Sequence, residues 1–227
     1  MKIRQFFDPK SSTYTYLLWD DKTRKAALID PVFEQISRDS KTIYELGLDL
    51  KFLLETHIHA DHITGSGKLR QRFGASILVH ENSGSQCADR LLKDGDMISL
   101  GDEEIKVLYT PGHTNTDISY LVDKTVFTGD TLLIRGSGRT DFQSGSAEDA
   151  YNSITKKLFT LDDSTLIYPG HDYEGRTQSS IGEEKQLNPR LGNKKSRAEY
   201  IDIMNSMNLP KPALIERAVP ENLECGM

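Results

Sequence analysis

Six histidines occur in the 227 residues, at positions 57, 59, 62, 80, 113 and 171, and three of them fall within Thr56-His57-Ile58-His59-Ala60-Asp61-His62. That crowding constrains the chain more than any other feature. Imidazole and carboxylate are the side chains that hold zinc and iron-type ions, and few structural needs gather them so densely. The cluster follows Leu50-Lys-Phe-Leu-Leu54, an apolar run that reads as a strand, so it sits at a strand end. With residues 57 to 61 extended, His57, His59 and Asp61 share one face, and His62 reaches the same spot when the chain turns. Thr64-Gly65-Ser66-Gly67 supplies the turn and is suited to open a helix whose amides face the site.

Three further candidates lie in loops that follow apolar strands. His113 stands in Tyr109-Thr-Pro-Gly-His-Thr114, Asp130 in Phe127-Thr-Gly-Asp-Thr131 and His171 in Tyr168-Pro-Gly-His-Asp-Tyr173. Each has a glycine directly before it, which lets the backbone turn and approach closely. Four loops are therefore expected to converge on one metal site. His80 stands alone and is read as a hydrogen-bonded structural residue.

The rest of the chain alternates short strands with helices. Tyr14 to Trp19, Lys25 to Ile29 and Leu50 to Leu54 read as strands, with a helix between Phe33 and Leu46. A short helix over Gly65 to Phe73, a strand at Ser76 to Val79, and a strand pair at Asp96 to Leu100 and Glu104 to Tyr109 follow. Ile118 to Val122 and Thr125 to Phe127 form another pair. Ala147 to Leu161 is helical with Ser146 as N-cap, and Thr165 to Tyr168 is a buried strand. Two batches of strands, each closed by helix, suggest the α/β (α+β) class with helices outside two sheets, a four-layer αββα arrangement. Periodicity alone does not separate this from other α/β layouts. We expect one domain over residues 1–227, with a C-terminal extension from about residue 175 packed on it. In that tail Arg197 to Met207 reads as helix, followed by an extended segment holding Pro210, Pro212 and Pro220.

Twenty-eight Lys and Arg against 34 Asp and Glu give a formal charge of −6, which argues against nucleic-acid or anionic-membrane binding. No window approaches the ~18 apolar residues of a membrane span, and no apolar leader opens the chain, so a cytoplasmic protein is expected. Cys87 and Cys225 are too few for a disulfide framework. They are expected as two reduced, unlinked thiols without a role.

The His-x-His-x-Asp-His spacing of His57, His59, Asp61 and His62, with His113, Asp130 and His171 downstream, resembles the signature of the metallo-β-lactamase superfamily. That resemblance implies the αββα sandwich. Members of one fold carry many chemistries, and longer strings narrow the likeness. Thr56 to Ser66, Leu133 to Gln143, Tyr168 to Tyr173, Asn188-Pro-Arg190, Leu209-Pro-Lys-Pro212, Ala218-Val-Pro220 and Cys225-Gly226 resemble the persulfide dioxygenases, also called sulfur dioxygenases, nearly end to end. Two positions depart from that pattern: Ser137 stands where many members have cysteine, and Asn115-Thr116-Asp117-Ile118 follows His113 in place of an Asp-Gly pair.

The resemblance implies one iron(II) per chain, held by His57, His113 and Asp130, a two-histidine, one-carboxylate face that leaves positions open for substrate and oxygen. His59, Asp61, His62 and His171 become pocket groups around those ligands. The implied substrates are glutathione persulfide and O2, and the products sulfite and glutathione. Gripping glutathione calls for cationic and hydrogen-bonding partners, and Arg139, Tyr173 and Arg217 are the candidates. A homodimer is expected, as is a separate rhodanese-type sulfurtransferase partner. The competing reading is a binuclear hydroxyacylglutathione (glyoxalase II-like) hydrolase using all seven ligand-type residues. The tail after His171 is short for that family's substrate-binding extension.

Overall fold

The computed structural model describes residues 1–227. One sheet contains β1 (Lys2–Asp8), β2 (Thr13–Trp19), β3 (Lys25–Ile29), β4 (Asp49–Leu54), β5 (Ser76–His80) and β6 (Arg90–Leu92), in that spatial order. Its first three strands are antiparallel and the rest run parallel. Parallel neighbours need crossovers; α1 (Ile36–Glu45) and α2 (Ser66–Phe73) supply the first two, and the segment 81–89 links β5 to β6. The second sheet contains β7 (Met97–Leu100), β8 (Glu103–Tyr109), β9 (Ile118–Val122), β10 (Thr125–Gly129), β11 (Leu166–Pro169) and β12 (Ser179–Ser180). There α3 (Ala147–Lys156) joins the parallel pair β10 and β11. The tail adds α4 (Ile181–Leu187), α5 (Arg197–Ser206) and α6 (Ile215–Leu223).

Strand β2 shows why these layers form. All seven residues of Thr13–Trp19 are buried. Successive strand side chains point to opposite faces, so Tyr14, Tyr16 and Leu18 enter the core between the sheets, with Leu54, Tyr120 and Phe127. Leu17 and Trp19 point the other way, against Ile43 of α1 and Leu69 of α2. A third core joins Val126 and Ile167 to Ile154 of α3 and Tyr200 of α5. A sheet buried on both faces demands helices outside it, and the result is the expected αββα sandwich.

Several elements differ from the sequence expectation. Strand β1 was not foreseen, because a half-exposed edge strand carries little apolar signal; β6, β12 and α4 were also missed. The helix expected to reach Leu161 stops at Lys156 and gives way to a 3₁₀ turn at Leu158–Thr160. Ser146 does cap its start, accepting a hydrogen bond from the Asp149 amide. The extended segment is corrected at its end, since Pro220 lies inside α6. There burial of Ala218 and Asn222 outweighs the backbone bond that proline forfeits. No helix is long and apolar enough to cross a membrane.

The cysteine expectation is overturned. Cys87 and Cys225 form a disulfide across 138 residues of sequence, with Cα atoms 6.0 Å apart. The tail folds back over the loop before β6, a proximity that spacing in the sequence does not reveal.

Candidate metal centre

The ends of β4 and β10, the turn after β11 and the β8–β9 loop meet at one end of the sandwich and deliver the predicted residues. Ligand atoms of His57, His113 and Asp130 lie within 4.8 Å of one another. Hydrogen bonds fix what each presents. The Thr56 hydroxyl donates to Asp30 Oδ2 at 2.8 Å, so its oxygen, 3.1 Å from His57 Nδ1, is left to accept. His57 Nδ1 therefore carries the proton and Nε2 a free lone pair. Burial holds the His57 imidazole well below its ordinary pKa, and the nearby His59 and His113 push it the same way. His113 Nδ1 donates to the Arg139 carbonyl at 2.7 Å, which again frees Nε2, 3.7 Å from Asp130 Oδ2. Asp130 Oδ1 is buried with no hydrogen-bond partner. A buried acceptor left bare is costly, and a cation bound by the Asp130 carboxylate, whose Oδ1 lies 3.6 Å from His171 Nε2 and Oδ2 3.7 Å from His113 Nε2, would offset that cost. Glycine is required beside it: a Cβ at Gly170 would sit 2.5 Å from Asp130 Oδ1.

His59, Asp61 and His62 form a second group with donor atoms equally close; His59 Nε2, His62 Nδ1 and the Asp61 carboxylate are engaged with each other and with the protein, while His59 Nδ1 and His62 Nε2 are buried without a partner. His59 Nε2 faces Asp30 Oδ1 at 3.1 Å and Glu55 Oε2 at 3.4 Å, all buried. Burial pulls His59 down, yet the Asp30 charge and hydrogen bond outweigh it and hold the imidazolium well above its ordinary pKa. Asp30 serves this purpose in a left-handed conformation, φ +48°, that is costly for a non-glycine residue. Asp61 Oδ2 accepts from His62 Nδ1 at 2.9 Å and Thr13 Oγ1 at 3.1 Å. Burial raises the Asp61 carboxyl, but His62 and His171 outweigh that and hold it well below its usual range. His171 donates through Nδ1 to the Ser12 carbonyl and turns Nε2 between Asp61 and Asp130, 3.6 Å from each. Burial lowers it, and those two carboxylates reverse the sign and raise it. His80 is structural: it accepts from the Asn82 amide and stacks on Tyr109.

A cavity of about 510 Å³ opens over His113, Asp130 and His171. Arg139 lines it, but both of its Asp141 contacts are 2.7 Å, and it donates to the Pro210 carbonyl at 2.6 Å. Its fork is thus spent on the loop and the proline segment. Tyr173 lines the cavity too, 74 % exposed, with its ring parallel to His171 at 6.0 Å. Arg217 does not line it; its guanidinium pairs with Glu221 on the exposed side of α6. Two contributors escaped the sequence reading. Arg190 lines the cavity half-buried, anchored on the Ser137 carbonyl and with its pKa lowered by burial. It lay within the string Asn188-Pro-Arg190, which was the available signal. Asp30 was visible only as a turn residue after β3.

The family model for the metallo-beta-lactamase superfamily matches residues 8–171, the span that carries every ligand-type residue described above. The chain belongs to the metallo-beta-lactamase superfamily. Within that superfamily it is 49% identical over 228 residues to the persulfide dioxygenase ETHE1, mitochondrial, of Bos taurus, covering 99% of this chain and 89% of that one. The crystal structure of ETHE1 from Myxococcus xanthus superposes with a TM-score of 0.98 at 55% identity, covering both chains fully. A metallo-beta-lactamase from Staphylococcus aureus superposes at 0.91 with 29% identity, covering all of this chain and 72% of that one.

Proposed function

We infer that this metallo-beta-lactamase-fold chain is a persulfide dioxygenase, and that glutathione persulfide, O2 and water become glutathione, sulfite and two protons. The observation that carries the reading is the split between the two donor groups. His57 and His113 are each hydrogen-bonded through Nδ1 outside their group and share Nε2 and carboxylate donors with Asp130, while His59 Nε2 is held by Asp30 and Glu55 and Asp61 by His62. The relatives named persulfide dioxygenase, similar over nearly the full length, support it.

In this proposal His57, His113 and Asp130 hold one iron(II), which when bound supplies the electrons and open positions that oxygen chemistry requires. The chain's own residues do the rest. Asp130 contributes the negative charge, and the two Nδ1 hydrogen bonds keep both imidazoles aimed. His171, its pKa raised by its carboxylate neighbours, turns Nε2 toward Asp61 and Asp130 at the cavity wall. Arg190, anchored through one nitrogen on the Ser137 carbonyl and paired with no carboxylate of the protein, is the cation that would grip a glutathione carboxylate; Tyr173 offers a ring and a phenol at the cavity mouth. Leu133 and Leu209 give the cavity apolar wall. The proposal extends to a homodimer, to a separate rhodanese-type sulfurtransferase acting on the same persulfide pool, and to a cytoplasmic setting, where glutathione is kept reduced.

The test is metal analysis of protein purified without added metal, with oxygen uptake on glutathione persulfide measured beside hydrolysis of S-lactoylglutathione. One iron per chain with oxygen consumption is expected. Two metals with thioester hydrolysis and no oxygen uptake would return the binuclear hydrolase.

A further inference from the structure

Helix α6 reaches the metal-ligand loop from the far end of the chain. Asn222, 5 % exposed, accepts from the Thr64 amide through Oδ1 at 2.8 Å and donates through Nδ2 to the carbonyls of His59 and His62, both at 2.9 Å. One side chain thereby satisfies three backbone groups on either side of Asp61 and His62. These groups belong to buried residues, so losing the amide would leave their backbone hydrogen bonds unmade. Thr64 is tied in turn to Glu55, the carboxylate beside His59.

What keeps Asn222 in register lies just beyond it. The helix itself buries only Ala218 and Asn222, so it has little core of its own. Its end is fastened instead. The Cys225 carbonyl accepts from the Gly67 amide, the Leu223 carbonyl from the Gln86 amide, and Cys225 is bonded to Cys87. The fit is close: a Cβ at Gly226 would stand 2.1 Å from the Thr64 carbonyl oxygen.

We propose that α6 is a thiol-sensitive clamp on the metal-ligand loop, with Asn222 as its positioning residue and the Cys87–Cys225 disulfide as its fastening. This rests on the persulfide dioxygenase reading only in making glutathione the relevant thiol. A glutathione thiolate attacks Cys87, the less buried sulfur. The Cys87–Cys225 bond breaks, and Cys225 leaves as a thiolate that takes up a proton. A second glutathione thiolate then displaces Cys87, giving glutathione disulfide and a second protein thiol. Two glutathiones are oxidised and one protein disulfide is reduced, with two electrons transferred. The clamp then depends on hydrogen bonds alone, and α6 opens locally more often.

The experiment is amide hydrogen exchange at Thr64 in metal-free protein, oxidised and reduced, with release of anaerobically loaded iron(II) to a chelator as the second readout. Reduction, or Cys87→Ser, which leaves α6 untouched, is expected to speed both by about tenfold, the scale on which outer partners tune a metal site. Asn222→Ala in the oxidised protein should do the same, and reducing that variant should add little. Asn222→Asp, which keeps the acceptor and loses both donors, serves where the alanine variant does not fold. Thr64 exchange and iron release indifferent to reduction and to Cys87→Ser would overturn the proposal, as would a silent Asn222 substitution. A chain that shows the exchange response yet no persulfide-dependent oxygen uptake would keep the clamp and sink the functional reading instead.

Discussion

Two sets of three donors, drawn from one motif and its neighbouring loops, have similar spacing and opposite chemistry. In His57, His113 and Asp130 every Nδ1 proton goes to an oxygen outside the set, so the lone pairs converge inward. In His59, Asp61 and His62 the hydrogen bonds run among the members and to Asp30 and Glu55, so much of the donor capacity is taken up and one ring nitrogen of each histidine stays unpartnered. Ligand capacity is therefore a property of the surrounding hydrogen bonds, which assign protons, rather than of the motif letters. A hydrolase reading follows from the letters alone; the single-ion proposal rests on the hydrogen bonds that hold His59 and Asp61.

The largest effect that can break this contrast is expected at Asp130. Asp130→Ala removes the one anion of the inward set, and metal affinity should fall by more than about a hundredfold, beyond the loss typical of outer partners. Metal analysis after dialysis, with oxygen uptake alongside, checks it. Asp61→Ala, which removes the corresponding anion of the second set, should leave iron near one per chain; if the two losses matched, the sets would not differ as described.

Next in size is the clamp on His59. The folded pKa of His59 is raised, so its stabilisation is fully present below about pH 6.5, its unfolded value, and is lost as pH rises through the folded value. The melting temperature of metal-free protein should therefore fall as pH climbs above neutral. Asp30→Asn with Glu55→Gln should start lower and show a flatter profile. The same double variant should titrate toward two zinc ions where the parent stops at one. A parent that takes two zinc ions would erase the distinction between the sets.

How much of this was legible in the sequence follows the range of each interaction. The seven ligand-type residues announce themselves because each sits in a short strand–Gly–ligand string, and strand periodicity over Tyr14 to Trp19 carries the buried sheet. Proton assignment was not legible: it depends on Asp30, which meets Thr56 from another strand, and on carbonyls such as Arg139 that no letter encodes. Nor was the disulfide, because the tail must first fold back. Arg139 lines the cavity, and its pairing with Asp141 and its bonds to the Leu209 and Pro210 carbonyls, which no short motif reveals, brace that segment.

That disulfide supplies the third effect. Reducing it, or Cys87→Ser, frees a long loop in the unfolded chain and should cost about 2–4 kcal/mol in chemical denaturation. Because α6 touches the His59–Thr64 backbone and not His57, iron stoichiometry at saturation should stay at one. A lower stoichiometry would show that the inward set also leans on the tail.

The smallest effects separate two arginines. Arg190 faces the cavity from a half-buried position, where a guanidinium can hold a carboxylate through two parallel bonds that lysine cannot reproduce. Arg190→Lys should raise KM for glutathione persulfide by about tenfold while kcat and iron content hold, since it removes binding made equally in ground and transition states. Arg217, exposed and paired four residues along its own helix with Glu221, offers the same charge outside the cavity. Arg217→Ala should leave KM within error, because a solvated charge away from the binding site is screened. A KM shift at Arg217 equal to that at Arg190 would mean that glutathione is recognised by the field around the mouth, with the inward donor set setting only where its sulfur comes to rest.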